Sequence, residues 1–66
     1  MRAMKRSKVY RRYYLICRDG AYEVAMKMKD EPDGWFCMGY VSDPENFEMA
    51  CENLEEEMRC ELASIA

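Results

Sequence analysis

The 66-residue chain contains no histidine, two prolines, three glycines and one tryptophan, and its serines are only Ser7, Ser42 and Ser64. Without histidine it lacks both the commonest general base and the commonest nitrogen ligand for zinc. The serines have no base to activate them and no glycine-rich phosphate loop is present, so an enzymatic function is not expected. Cys17, Cys37, Cys51 and Cys60 form no Cys-x-x-Cys pair, and neither a metal site nor a cofactor is expected. They read as small buried hydrophobes in a reducing cell, with no disulfide framework. Long apolar runs are also missing. The run Tyr13-Tyr14-Leu15-Ile16-Cys17 is too short for a signal-peptide core or a membrane span, so a cytoplasmic location without a membrane partner is expected.

Half of the residues are hydrophobic and 35% are charged, which excludes a chain disordered by composition. At this size a domain hides only about 60% of its unfolded surface, so the fold is one simple core. Residues 1 to 8 carry four bases and no apolar face, the pattern of a flexible basic arm, and residues 9 to 66 form the single domain. A first strand is expected from Val9 to Cys17, followed by a tight Asp19-Gly20 hairpin. Tyr22, Val24, Met26 and Met28 alternate with Glu23, Ala25, Lys27 and Lys29, predicting a second strand with one wet face and the Tyr/Val/Met side buried. Asp30 to Gly34 breaks that strand. Trp35 to Val41 has little polar relief and reads as the best covered strand, with Gly39 marking a bulge or a close approach. Asp43 or Ser42 then caps a helix, with Pro44 at its first position. Phe47, Ala50, Cys51, Leu54, Met58, Leu62 and Ile65 place one apolar stripe on that helix. The expected fold is α+β: a three-stranded antiparallel meander packed against one C-terminal helix, β-β-β-α. Seven methionines suit an adaptable core.

The net charge of −3 conceals a polarised chain. Residues 1 to 18 hold seven bases and no acid, and the remainder holds three bases and all thirteen acids, for local totals of +7 and −10. Glu45, Glu48, Glu52, Glu55, Glu56, Glu57 and Glu61 line the helix, opposed within it only by Arg59. Glu48/Glu52, Glu52/Glu56 and Glu57/Glu61 are like pairs costing about 0.2–0.5 kcal/mol each, and only Glu55/Arg59 is expected to offset them. The carboxylates also crowd the end of the helix where the dipole disfavours them. An ordinary solvated face, balanced by the basic amino-terminal segment, is one account. The sharper one is a strip that binds a basic, nucleic-acid-handling protein, with Glu45, Glu48, Glu52, Glu55, Glu56 and Glu57 as contacts and Glu48, Glu52, Glu55 and Glu56 at the centre. The competing account uses the basic residues, where Arg6, Lys8, Arg11, Arg12, Arg18, Lys27, Lys29 and Trp35 grip phosphates and stack on bases directly. In a third, two copies pair the acidic helix of one chain with the basic arm of the other.

Gly20-Ala21-Tyr22-Glu23-Val24, Gly34-Trp35, Met38-Gly39-Tyr40 and Asp43-Pro44 with Ala50 form a layout that resembles the three-stranded-sheet-plus-helix DNA-binding domains of plant ethylene-response factors and of phage and transposon integrase arm-binding domains. The resemblance covers about residues 9 to 60. In those families the sheet enters the major groove, which would single out Arg12, Lys27, Lys29 and Trp35; the acidic helix departs from their pattern. In character, small size with a self-repelling acidic helix is similar to the small proteins that phages deploy against host defence, anti-CRISPR inhibitors among them. That likeness implies a protein that occludes a nucleic-acid-binding surface by presenting carboxylates, in the host cytoplasm if the chain is phage-encoded.

Overall fold

The computed structural model describes residues 2–31 and 33–65, with the backbone alone at Ile65. Four strands, β1 (Lys5–Arg6), β2 (Tyr13–Arg18), β3 (Ala21–Lys27) and β4 (Trp35–Val41), form one antiparallel sheet in the order β1-β2-β3-β4. A 3-10 turn, Pro44–Asn46, leads into α1 (Phe47–Ile65), the one α-helix among the described residues. The sheet thus has four strands, not the expected three, and the additional one comes from the segment read as a flexible arm. No helix among the described residues is long and apolar enough to cross a membrane.

Strand β1 exists because the backbone of residues 4–7 finds partners on β2. Lys5 pairs with Leu15 and Arg6 with Tyr14, while the amides of Met4 and Ser7 donate to the carbonyls of Leu15 and Tyr13 at 2.8 and 2.9 Å. Its two residues are charged and exposed, so no hydrophobic alternation announced it. The expected strand start at Val9 moves to Tyr13 for a related reason. The Tyr10 amide donates to Ser7 Oγ and the Tyr13 amide to the Tyr10 carbonyl, both at 2.9 Å, which curls residues 7–12 into a turn. Ser7 is fully buried there with its hydroxyl engaged, as a buried polar group must be.

The Asp19-Gly20 hairpin is as expected. Asp19 has φ +53° and Gly20 φ +78°, the left-handed pair that this turn requires and that glycine adopts without steric cost. After the 28–34 loop, β4 returns beside β3 with a register shift opposite Val24/Ala25, a bulge next to Gly39. Asp43 accepts the Glu45 amide at 3.0 Å and Pro44 takes the first helical position, so the cap is Asp43 and not Ser42.

The core lies between the helix and one sheet face. Tyr13, Leu15, Val24, Val41, Phe47 and Cys51 are buried, with Tyr22, Met26, Met38, Leu54 and Met58 packed around them. Two expectations about coverage change. Glu23 and Ala25, assigned to the wet face of β3, are 4% and 0% exposed, and Ile16 beside them is also buried, so the middle of the central strands is buried even on the face away from the helix. Conversely β4, expected to be the best covered, is an edge strand on which Phe36 and Tyr40 stay 60% and 75% exposed. A meander's last strand is an edge by construction, however apolar it is. The helical stripe also outruns the sheet: Phe47 and Cys51 are buried, Leu54 and Met58 half-buried, and Leu62 exposed.

Candidate interaction surfaces

The polarised sequence folds back on itself along one flank of α1. The Lys8 amide donates to both carboxylate oxygens of Glu48 at 3.3 and 3.1 Å. Tyr10 Oη donates to Glu52 Oε2, and Tyr13 Oη to Glu55 Oε1 at 2.9 Å. The Arg12 guanidinium forms an ion pair with Glu55 and stacks 4.8 Å from the Tyr13 ring centroid. Arg59 reaches Glu52 at 3.8 Å instead of pairing with Glu55 as expected. Glu48 is held below the usual carboxylate range first by the Ser7 hydroxyl, then by the Lys8 amide and the charges of Lys5 and Lys8. The Tyr10 phenol is pushed up, chiefly because its proton is shared with Glu52. Glu48, Glu52 and Glu55 therefore have partners within the chain, and they fasten the 7–13 segment to the helix.

The remaining carboxylates are different. Glu57 and Glu61 lie on the other flank, Glu56 lies one turn beyond Glu52 on the outward side, and Glu45 precedes the helix; all four are exposed, and among the described residues none of them forms an ion pair. Asn53, Glu56, Glu57, Cys60 and Glu61 line one shallow depression on this side. Beside it, Val24, Gly39, Ala50 and Leu54 form the floor of a notch of about 180 Å³ whose rim carries Tyr40, Asn53 and Glu57. Sequence reasoning missed this notch and the β4 edge; the available signal was the position of β4 as the last strand of a meander.

The basic candidates divide as well. Arg6 pairs with Tyr14 across β1 and β2, and alternation places both on the sheet face away from the helix, together with Arg18, Lys27 and Trp35. Arg6 lies 5.2 Å from the Tyr14 ring centroid, its Nε donates to the Arg11 carbonyl, and Trp35 meets Tyr14 edge-on at 5.2 Å. Arg18 makes a two-pronged pair with buried Glu23, at 3.1 and 2.8 Å, which lowers the Glu23 pKa. Arg12 is committed to Glu55, Arg11 and Lys8 sit in the 7–12 turn, and Lys29 is exposed in the 28–34 loop. The face away from the helix thus gathers Arg6, Arg18, Lys27 and Trp35, with Arg18 already paired to Glu23, but not all eight residues.

All four cysteines are free, and the expectation that each is buried holds only for Cys51. Burial pushes the Cys51 thiol up to about 11, whereas Cys17 and Cys60 are exposed. Among the described residues no group of three or more His, Cys, Asp or Glu could hold a metal ion. Comparison with known proteins finds no matching family model, no matching curated protein and no matching solved structure.

Proposed function

We propose that the chain is a small, non-enzymatic binding protein that docks an acidic helix flank onto a basic, nucleic-acid-handling protein and occludes it, in the manner of the phage anti-defence inhibitors it resembles in character. The observation that carries the reading is the contrast between the two flanks of α1. Glu48, Glu52 and Glu55 are engaged within the chain, whereas Glu56, Glu57 and Glu61 are exposed and, among the described residues, form no ion pair. The contact set accordingly moves from the centre expected earlier to Glu56, Glu57 and Glu61, with Glu45 at the helix start. Exposed carboxylates favour fast, salt-sensitive capture of a positive groove.

The test is displacement of a fluorescent nucleic-acid probe from basic nucleic-acid-binding proteins. Displacement is expected to fade with added salt and to vanish for Glu56→Lys/Glu57→Lys/Glu61→Lys; displacement retained by that variant overturns the reading. A second reading, direct nucleic-acid binding, draws on the grouping of Arg6, Tyr14, Lys27 and Trp35 on the open sheet face. Steeply salt-dependent binding of duplex or single-stranded nucleic acid by the pure protein, lost on Arg6→Ala/Lys27→Ala, would favour it instead. The cross-chain pairing of basic arm and acidic helix has less to recommend it, because those partners already meet within one chain.

A further inference from the structure

We propose that the outer edge of β4, with the notch beside it, receives an extended basic segment of the partner protein as an added strand. The inference rests on the acidic-flank reading above and says where the partner is held and in what conformation. β4 ends the sheet order, so along Phe36–Val41 no strand lies on its outer side among the described residues. Such edges template pairing and are usually guarded by lysine, proline, short length or a covering element. The opposite edge, Lys5–Arg6, is guarded in that way, being two residues long and charged. Trp35–Val41 spans seven residues without a charge or a proline. Its one device of that kind is the bulge beside Gly39.

The notch specifies what the added strand carries. A Lys or Arg on the helix side would lay its methylene stem over Ala50 and Leu54 and bring its cation to Glu57. Carboxylates one helical turn apart, such as Glu57 and Glu61, repeat about every 6 Å. Alternate side chains of a strand repeat about every 6.7 Å, so successive basic residues of the segment stay within reach of successive carboxylates. Charge also selects among occupants. A second copy paired through this edge would oppose two identical rows of Glu56, Glu57 and Glu61, and β4 has no base to relieve them. Nucleic acid meets the same repulsion. An extended cationic segment satisfies both the main-chain edge and the carboxylates, the arrangement by which strand addition combines backbone affinity with side-chain selectivity.

The probe is an alternating Lys-Val peptide about eight residues long, the length of an ordinary strand. It is titrated into the full chain and followed by amide chemical shifts and hydrogen exchange. Binding should slow exchange at amides within Phe36–Tyr40, weaken about tenfold for Glu57→Lys/Glu61→Lys, and disappear when alternate peptide nitrogens of the probe are methylated. Glu57 and Glu61 are exposed, so the charge-reversed protein keeps its fold, which its amide spectrum verifies. If the methylated peptide binds as tightly as the parent and the β4 amides stay unprotected, strand addition is wrong while acidic-flank capture survives. If neither peptide binds at low salt, both readings fail. Concentration-dependent dimerisation that protects β4 without peptide would also overturn the proposal, by naming a second copy as the occupant.

Discussion

Glu55 and Glu56 are neighbours in sequence, yet the structure makes opposite demands of them. Glu55 accepts the hydroxyl of fully buried Tyr13 at 2.9 Å and pairs with Arg12, whereas Glu56 faces solvent. Glu55→Ala would leave the Tyr13 hydroxyl buried without an acceptor, a penalty of about 1–3 kcal/mol. The lost surface ion pair with half-exposed Arg12 adds at most about 1 kcal/mol. We therefore expect Glu55→Ala to cost about 2–3 kcal/mol, a large part of the roughly 3–10 kcal/mol available to a domain of this size. That corresponds to a fall in Tm of about 10–20 °C. Glu56→Ala, which removes one like-charge neighbour, should change stability by less than about 0.5 kcal/mol. Tyr13→Phe removes donor and demand together, so Glu55→Ala in that background should cost clearly less than alone. Urea denaturation of these four variants and the parent measures all of this. Equal effects of Glu55→Ala and Glu56→Ala, or additive effects of Glu55→Ala and Tyr13→Phe, would refute the division of the helix into an anchoring and a free flank.

Three further outcomes follow from named groups. Glu23 and Glu48 both have lowered pKa values, so the stability they confer is complete above the ordinary carboxylate pKa, about 4.3, and is lost as pH falls below it through their folded-state values. Denaturation curves between about pH 3 and 6 should show a shallower acid loss for Glu23→Gln and Glu48→Gln than for the parent, and parallel acid limbs would contradict the assignment. The Cys51 thiol, raised to about 11 by burial, should resist thiol reagents at neutral pH until the chain unfolds, while Cys17 and Cys60 react at once; mass spectrometry of the labelled sites decides it. Asp43→Ala removes the acceptor of the Glu45 amide and should cost about 0.5–2 kcal/mol, whereas Asp43→Ser should restore most of it in the same urea assay.

Local chemistry made part of this fold legible from the chain alone. Asp19-Gly20 declares a positive-φ turn, Asp43-Pro44 a helix start, and the spacing of Phe47, Cys51, Leu54 and Met58 a helix with one apolar side, because each depends on neighbours within a few residues. The apolar run Trp35–Val41 likewise marks a strand with the bounds the structure gives it. Its coverage was misjudged, since apolar composition reports what a strand tolerates and not which neighbours it acquires. β1 escaped notice because two exposed basic residues join the sheet through backbone hydrogen bonds to β2, which composition does not record.

By itself, the sequence determined the antiparallel hairpin, the helix and where it starts, and the segregation of seven bases from thirteen acids. Only the tertiary structure decided which of those charges remain available. Lys8, Tyr10, Arg12 and Tyr13 lie about forty residues from Glu48, Glu52 and Glu55 in the chain, and contact at that separation exists only after the sheet has formed and the helix has crossed it. Coulomb attraction and hydrogen bonding fall off over a few ångströms of space without regard to sequence order, so a carboxylate's role is set by what the fold brings beside it.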